Sequence, residues 1–84
     1  MSYQVQILRR AQKELARLSG GDYERVRDAI QALAQDPRPP GCRKLVVGDG
    51  WRIRVGNYRV IYEINDGQRL VTVLHVGHRR DVYT

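Results

Sequence analysis

The sequence predicts an α+β fold. An N-terminal strand and a two-helix antiparallel hairpin precede a four-stranded antiparallel run, with both helices packed on one face of the sheet. Three observations predict it. The hydrophobic period runs from two to about 3.6 and back to two along the chain. Gly, Pro, Asn and Asp clusters fall where the period changes. After Gly41, four strand-like runs are joined by turns too short for anything but antiparallel neighbours.

Each element follows in order. Tyr3 to Leu8 alternates, with Tyr3, Val5 and Ile7 on one side and Gln4 and Gln6 on the other. Leu8, Ala11, Leu15 and Leu18 then recur at helical spacing, with Arg9, Arg10, Lys13, Glu14 and Arg17 on the opposite face. Gly20-Gly21 ends that helix. Asp22 is the N-cap or a first-turn acid of a second helix, whose stripe is Tyr23, Val26, Ile30 and Leu33. Asp36-Pro37 stops it, because a residue before proline is pushed out of the α region. Pro37-Arg38-Pro39-Pro40-Gly41 is a stiff connector.

The strand run starts at Arg43–Val47, turns at Gly48-Asp49-Gly50, and resumes at Trp51–Val55. There Trp51, Ile53 and Val55 share one face, and Arg52 and Arg54 the other. Gly56-Asn57 is a hairpin turn signal. Tyr58–Ile64 puts Tyr58, Val60, Tyr62 and Ile64 on one face and Arg59, Ile61 and Glu63 on the other. Asn65-Asp66-Gly67-Gln68 turns the chain into Leu70–Val76, which is apolar at nearly every position and therefore central. Gly77 is read as its end. The first strand joins the sheet as an edge or pairs with the last strand.

Eighty-four residues make one domain, 1–84. Such a chain buries only about 60–65% of its unfolded surface. A site on it is an open surface rather than an enclosed pocket. Net charge is +6, with +1 in residues 1–36 and +5 in residues 37–84, so a polyanion is expected on the C-terminal half. Cys42 is the one cysteine, and no metal-ligand spacing surrounds it. No apolar run is long enough for a signal peptide or membrane span. A reduced, cytoplasmic protein without metal or cofactor is the expectation.

If the helices cover one face, the other carries Arg52, Arg54 and Arg59, with Lys44 on the neighbouring strand and Arg79, Arg80 and Tyr83 beyond the last. Such a face suits a single-stranded phosphate backbone, with tyrosine free to stack on a base. A solvated sheet face and an acidic protein partner fit the same pattern. Glu63 is expected to pair with an arginine, and His75 to pack against the sheet. No carboxylate pair, phosphate loop or nucleophile–His–acid set is present.

The run G-N-Y-R-V-I-Y-E-I, followed by V-L-H-V-G-H-R-R-D-V-Y, resembles the RelE branch of the RelE/ParE toxins of bacterial toxin–antitoxin systems. The resemblance covers nearly the whole chain. It implies a toxin that enters the ribosomal A site and cuts mRNA without metal, the ribose 2′-OH attacking the adjacent phosphate. Carried over by motif, Arg59 and Arg79 are phosphate ligands, and Tyr83 stacks on or orients the nucleotide. Arg52 and Arg54 match a basic pair that is often lysine in the family. Arg54 stabilises charge, because a guanidinium is a poor base. His78 becomes the candidate for proton transfer, and Lys44, Arg52 and Arg80 are RNA contacts. The resemblance also implies an acidic antitoxin and a toxin–antitoxin hetero-oligomer. The alternative is the ParE branch, with the same fold, no nuclease activity, and DNA gyrase as target.

Overall fold

The computed structural model describes residues 2–46 and 48–78. The elements are β1 (Gln4–Ile7), α1 (Arg9–Ala16), α2 (Gly21–Ala32), β2 (Arg43–Lys44), β3 (Gly50–Val55), β4 (Tyr58–Asn65) and β5 (Leu70–His78). They form one sheet in the order β1-β5-β4-β3-β2. Strands β2 to β5 are antiparallel neighbours, and β1 lies parallel to β5 at the edge.

The helices supply the cover that makes one face a core. In α1, Ala11 and Leu15 are buried, four residues apart on one stripe. In α2, Val26 and Ile30 are buried, and Leu33 follows at the C-cap. They meet Ile53, Val60, Tyr62, Val71, Val73 and Val76 from the sheet. Helix α1 packs on β5, and α2 on β3 and β4. Gly20, at φ +58°, turns the chain between the helices, a region open to glycine at little cost. Gly21 already belongs to α2, so Asp22 is a first-turn acid facing the positive end of the helix dipole. The buried Tyr62 hydroxyl donates to the Pro37 carbonyl at 2.7 Å, which fastens the proline connector to the core. Burial, first of several causes, pushes the Tyr62 phenol well up from its ordinary value.

Two departures from the expected elements matter for the site. The strand expected at Arg43–Val47 pairs only at Arg43–Lys44. Strand β5 runs on through Gly77 to His78, because β4 continues beside it: Gly77 pairs with Arg59 and His78 with Tyr58. Pairing outweighs glycine's weak strand preference there. Within β5 the register slips at Leu74. Ile61 faces His75 while Tyr62 faces Val73. This bulge lets Val73 and Val76, three residues apart, both enter the core.

Strand β1 accompanies β5 only as far as Val73. Beyond that point α1 takes its place. The Leu8 amide donates to the Val73 carbonyl at 3.0 Å, and the Val76 amide donates to Glu14 Oε1 at 2.9 Å. A carboxylate thus satisfies an amide that would otherwise need a neighbouring strand.

Candidate nucleic-acid interface

Residues directly opposite each other in neighbouring strands share a face. That rule sorts the predicted site residues. One row across the helix-free face is Arg43, Arg52, Ile61 and His75; the next is Arg54, Arg59 and Gly77. Four arginines from β2, β3 and β4 therefore stand together. Arg43 and Arg54 are exposed, and Arg52 and Arg59 half-buried. The Arg52 guanidinium sits below its ordinary pKa, first because burial desolvates it and then because Arg54, Arg59 and Arg43 repel it. Among the described residues, Arg43, Arg52 and Arg54 form no ion pair with a carboxylate. Glu63, expected to pair with an arginine, lies one row further on, opposite Gly50, and makes no such pair among the described residues. Like charges held directly opposite each other cost stability. An approaching phosphate would relieve that cost.

Three placements differ from the expectation. Lys44 pairs with Trp51, so it lies on the helix side, with Nζ 5.7 Å from the indole centroid. A two-residue strand can offer only one side chain to each face, and here the open face receives Arg43. His78 pairs with Tyr58 and also lies on the helix side, the two rings meeting edge to face at 5.8 Å. The Tyr58 hydroxyl is 3.3 Å from Asp22 Oδ2. Its pKa is raised, first by desolvation and then by that carboxylate. His75, by contrast, belongs to the open face. Its Nδ1 lies 3.6 Å from Glu14 Oε2. Arg79, Arg80 and Tyr83 lie outside the described residues.

Sequence reasoning missed Arg43 and the Glu14–His75 contact. Pairing Arg43 with Arg52 would have required the length of the β2–β3 loop. Nothing in the local pattern signals that Glu14 crosses from a helix to a strand edge 62 positions away. Among the described residues no three His, Cys, Asp or Glu side chains are grouped so as to hold a metal ion, and no helix is long and apolar enough to cross a membrane.

The result is a small α+β domain with helices on one face of its sheet and clustered arginines on the other. Residues 5–83 match the family described as ParE toxin of type II toxin-antitoxin system, parDE. The fold is similar to RelE in the RelE–RelB complex of Pyrococcus horikoshii OT3, at TM-score 0.84 and 31% identity, covering 98% of this chain and 100% of that one. It is also similar to a chain of the toxin–antitoxin complex RelBE2 of Mycobacterium tuberculosis, at TM-score 0.83 and 26% identity, covering 94% and 100%. The isolated RelE toxin of Escherichia coli matches at TM-score 0.78 and 26% identity, covering 92% and 84%. The chain belongs to the RelE/ParE superfamily of type II toxin–antitoxin toxins, on its RelE branch.

Proposed function

We propose that this chain is a ribosome-dependent endoribonuclease that cleaves mRNA in the A site and so inhibits translation. The observation that carries the proposal is the pair of arginine rows on the helix-free face, in a chain whose structural relatives are RelE toxins. Arg54 and Arg59 stand directly opposite each other, placed to hold the non-bridging oxygens of one phosphate and stabilise the charge that develops there. Arg52 and Arg43 continue the cationic surface toward the neighbouring phosphate. Arg79 is assigned a second phosphate contact, Arg80 an RNA contact, and Tyr83 the stacking of a base. The 2′-oxygen attacks phosphorus, leaving a 2′,3′-cyclic phosphate and a 5′-OH, with no metal taking part. The chain acts in the cytoplasm and is held inactive there by an acidic antitoxin in a hetero-oligomer, the kind of assembly in which relatives have been solved.

Expression of the chain without antitoxin is expected to arrest growth, and Arg59→Ala with Arg79→Ala to relieve the arrest while the fold persists. Toxicity that survives the double substitution rules the nuclease out. The family description that the chain matches carries the ParE name, so a ParE-like inhibitor of DNA gyrase is the reading to be told apart. Mapping of mRNA 5′ ends on stalled ribosomes separates the two. Cuts in the A-site codon support the nuclease, whereas gyrase-linked DNA breaks without RNA cuts support the other.

A further inference from the structure

The charged groups of the two arginine rows are permanent cations, and a guanidinium does not take up a proton from a ribose hydroxyl. Transesterification needs a group that can. Histidine is the residue type suited to this near neutral pH, and His75 is the histidine that the register puts on the open face. It is opposite Ile61 and diagonal to Arg59, a separation of about 7–8 Å that long side chains bridge. The bulge at Leu74 is what turns it there.

Its neighbour is fixed. Glu14 Oε1 is held by the Val76 amide at 2.9 Å, which leaves Oε2 3.6 Å from His75 Nδ1. That contact is longer than a hydrogen bond, and such contacts commonly shorten when substrate binds. With Nδ1 toward the carboxylate, Nε2 is left for the substrate, the arrangement by which a carboxylate orients a catalytic imidazole. The side chains of His75 and Glu14 are 37% and 27% exposed. Both line a cleft of about 760 Å³ that also takes in Arg17, Tyr58, Ile61, Gly77 and His78.

We propose that His75 is the proton acceptor of the cleavage step and Glu14 its positioning residue. The inference rests on the mRNA-cleavage reading above. The ribose 2′-hydroxyl gives its proton to His75 Nε2 as the 2′-oxygen bonds to phosphorus. The bond from phosphorus to the 5′-oxygen breaks, and that oxygen takes a proton from solvent water. His75 then returns its proton to solvent, so no water is consumed overall. Glu14 lies 3.6 Å from the imidazole, Arg17, Tyr58 and His78 line the same cleft, and Arg52 and Arg59 share the open face in its own row and the next.

The test is single-turnover cleavage on mRNA-programmed ribosomes across neutral pH, with ribosome binding measured alongside. His75→Gln is expected to lower the cleavage rate by about 10²–10⁴-fold, to abolish the rise of rate with pH, and to leave ribosome binding intact. Glu14→Gln retains an amide oxygen for the Val76 amide and removes the charge. It is expected to move the acid limb of the pH profile to lower pH and to reduce the plateau. A purely structural Glu14 would leave the limb where it is, and that result overturns the inference. So does a His75→Gln variant that cleaves at the parent rate with the acid limb in place, which leaves the nuclease reading standing. A parent chain that binds ribosomes and cuts nothing overturns both.

Discussion

The two faces of the sheet handle positive charge in opposite ways. On the helix side, Arg38 and Lys44 are matched. Arg38 donates to both oxygens of Asp66, at 3.2 and 2.9 Å, while the Tyr3 hydroxyl donates to the same carboxylate at 2.6 Å. Arg38 also lies over the Trp51 ring at 5.1 Å, and Lys44 over the same ring at 5.7 Å. On the open face, Arg43 stands opposite Arg52, and Arg54 opposite Arg59. The first arrangement satisfies charge within the protein and adds stability. The second sets like charges opposite each other, at a cost that an anion between them would relieve. Strand alternation puts the two within one residue of each other, since Trp51 and Arg52 are neighbours in the chain.

The largest effect that should separate the faces is on cleavage. Arg54→Gln with Arg59→Gln is expected to lower mRNA cleavage about 10²–10³-fold. In urea denaturation Arg43→Gln, which breaks up the like-charge cross-strand pair of Arg43 and Arg52, should hold or gain stability, by about 0.2–1 kcal/mol. Parallel losses of stability and activity would break the comparison. The helix side should respond the other way. Tyr62→Phe leaves the buried Pro37 carbonyl without its donor and is expected to cost about 1–2 kcal/mol with RNA affinity unchanged.

Arg43 and Lys44 give a finer contrast, being adjacent in sequence and on opposite faces. Arg43→Gln should reduce the salt dependence of RNA binding by about one unit of slope. Lys44→Gln should leave that slope alone; equal effects from both would deny the face assignment. The smallest effect is on acid stability. Asp66 is held below the usual carboxylate range, first by hydrogen bonds from Arg38 and Tyr3. A depressed folded-state pKa contributes stability that is present above the unfolded value and lost as pH falls through the folded one. The melting temperature should therefore decline below about pH 4, and Asp66→Asn should lessen that decline.

Much of this was legible in the chain. The stripe of Ala11 and Leu15, and that of Val26, Ile30 and Leu33, are buried as their spacing predicts. Arg52, Arg54 and Arg59 fall on the helix-free face, as alternation from Trp51 and Tyr58 requires. The Gly56-Asn57 turn is the two-residue connection expected, with Gly56 at φ +60° and Val55 pairing with Tyr58. What failed was long-range register. Nothing local says where β2 begins its pairing, so Lys44 was assigned the wrong face and Arg43 was missed. Nothing local marks Leu74 as a bulge either, and in a nearly continuous apolar run the face of His75 could not be counted off.

The sequence by itself determined the elements, the core stripes and the arginine-rich strands, because those follow from periods of two and 3.6 and from turn chemistry within a few residues. Only the tertiary structure decided which cations share a face across three strands, that β1 gives way to α1 along the edge of β5, and that Glu14 meets His75. Each of these depends on the pairing of segments far apart in the chain. A shift of one residue there moves every side chain to the other face.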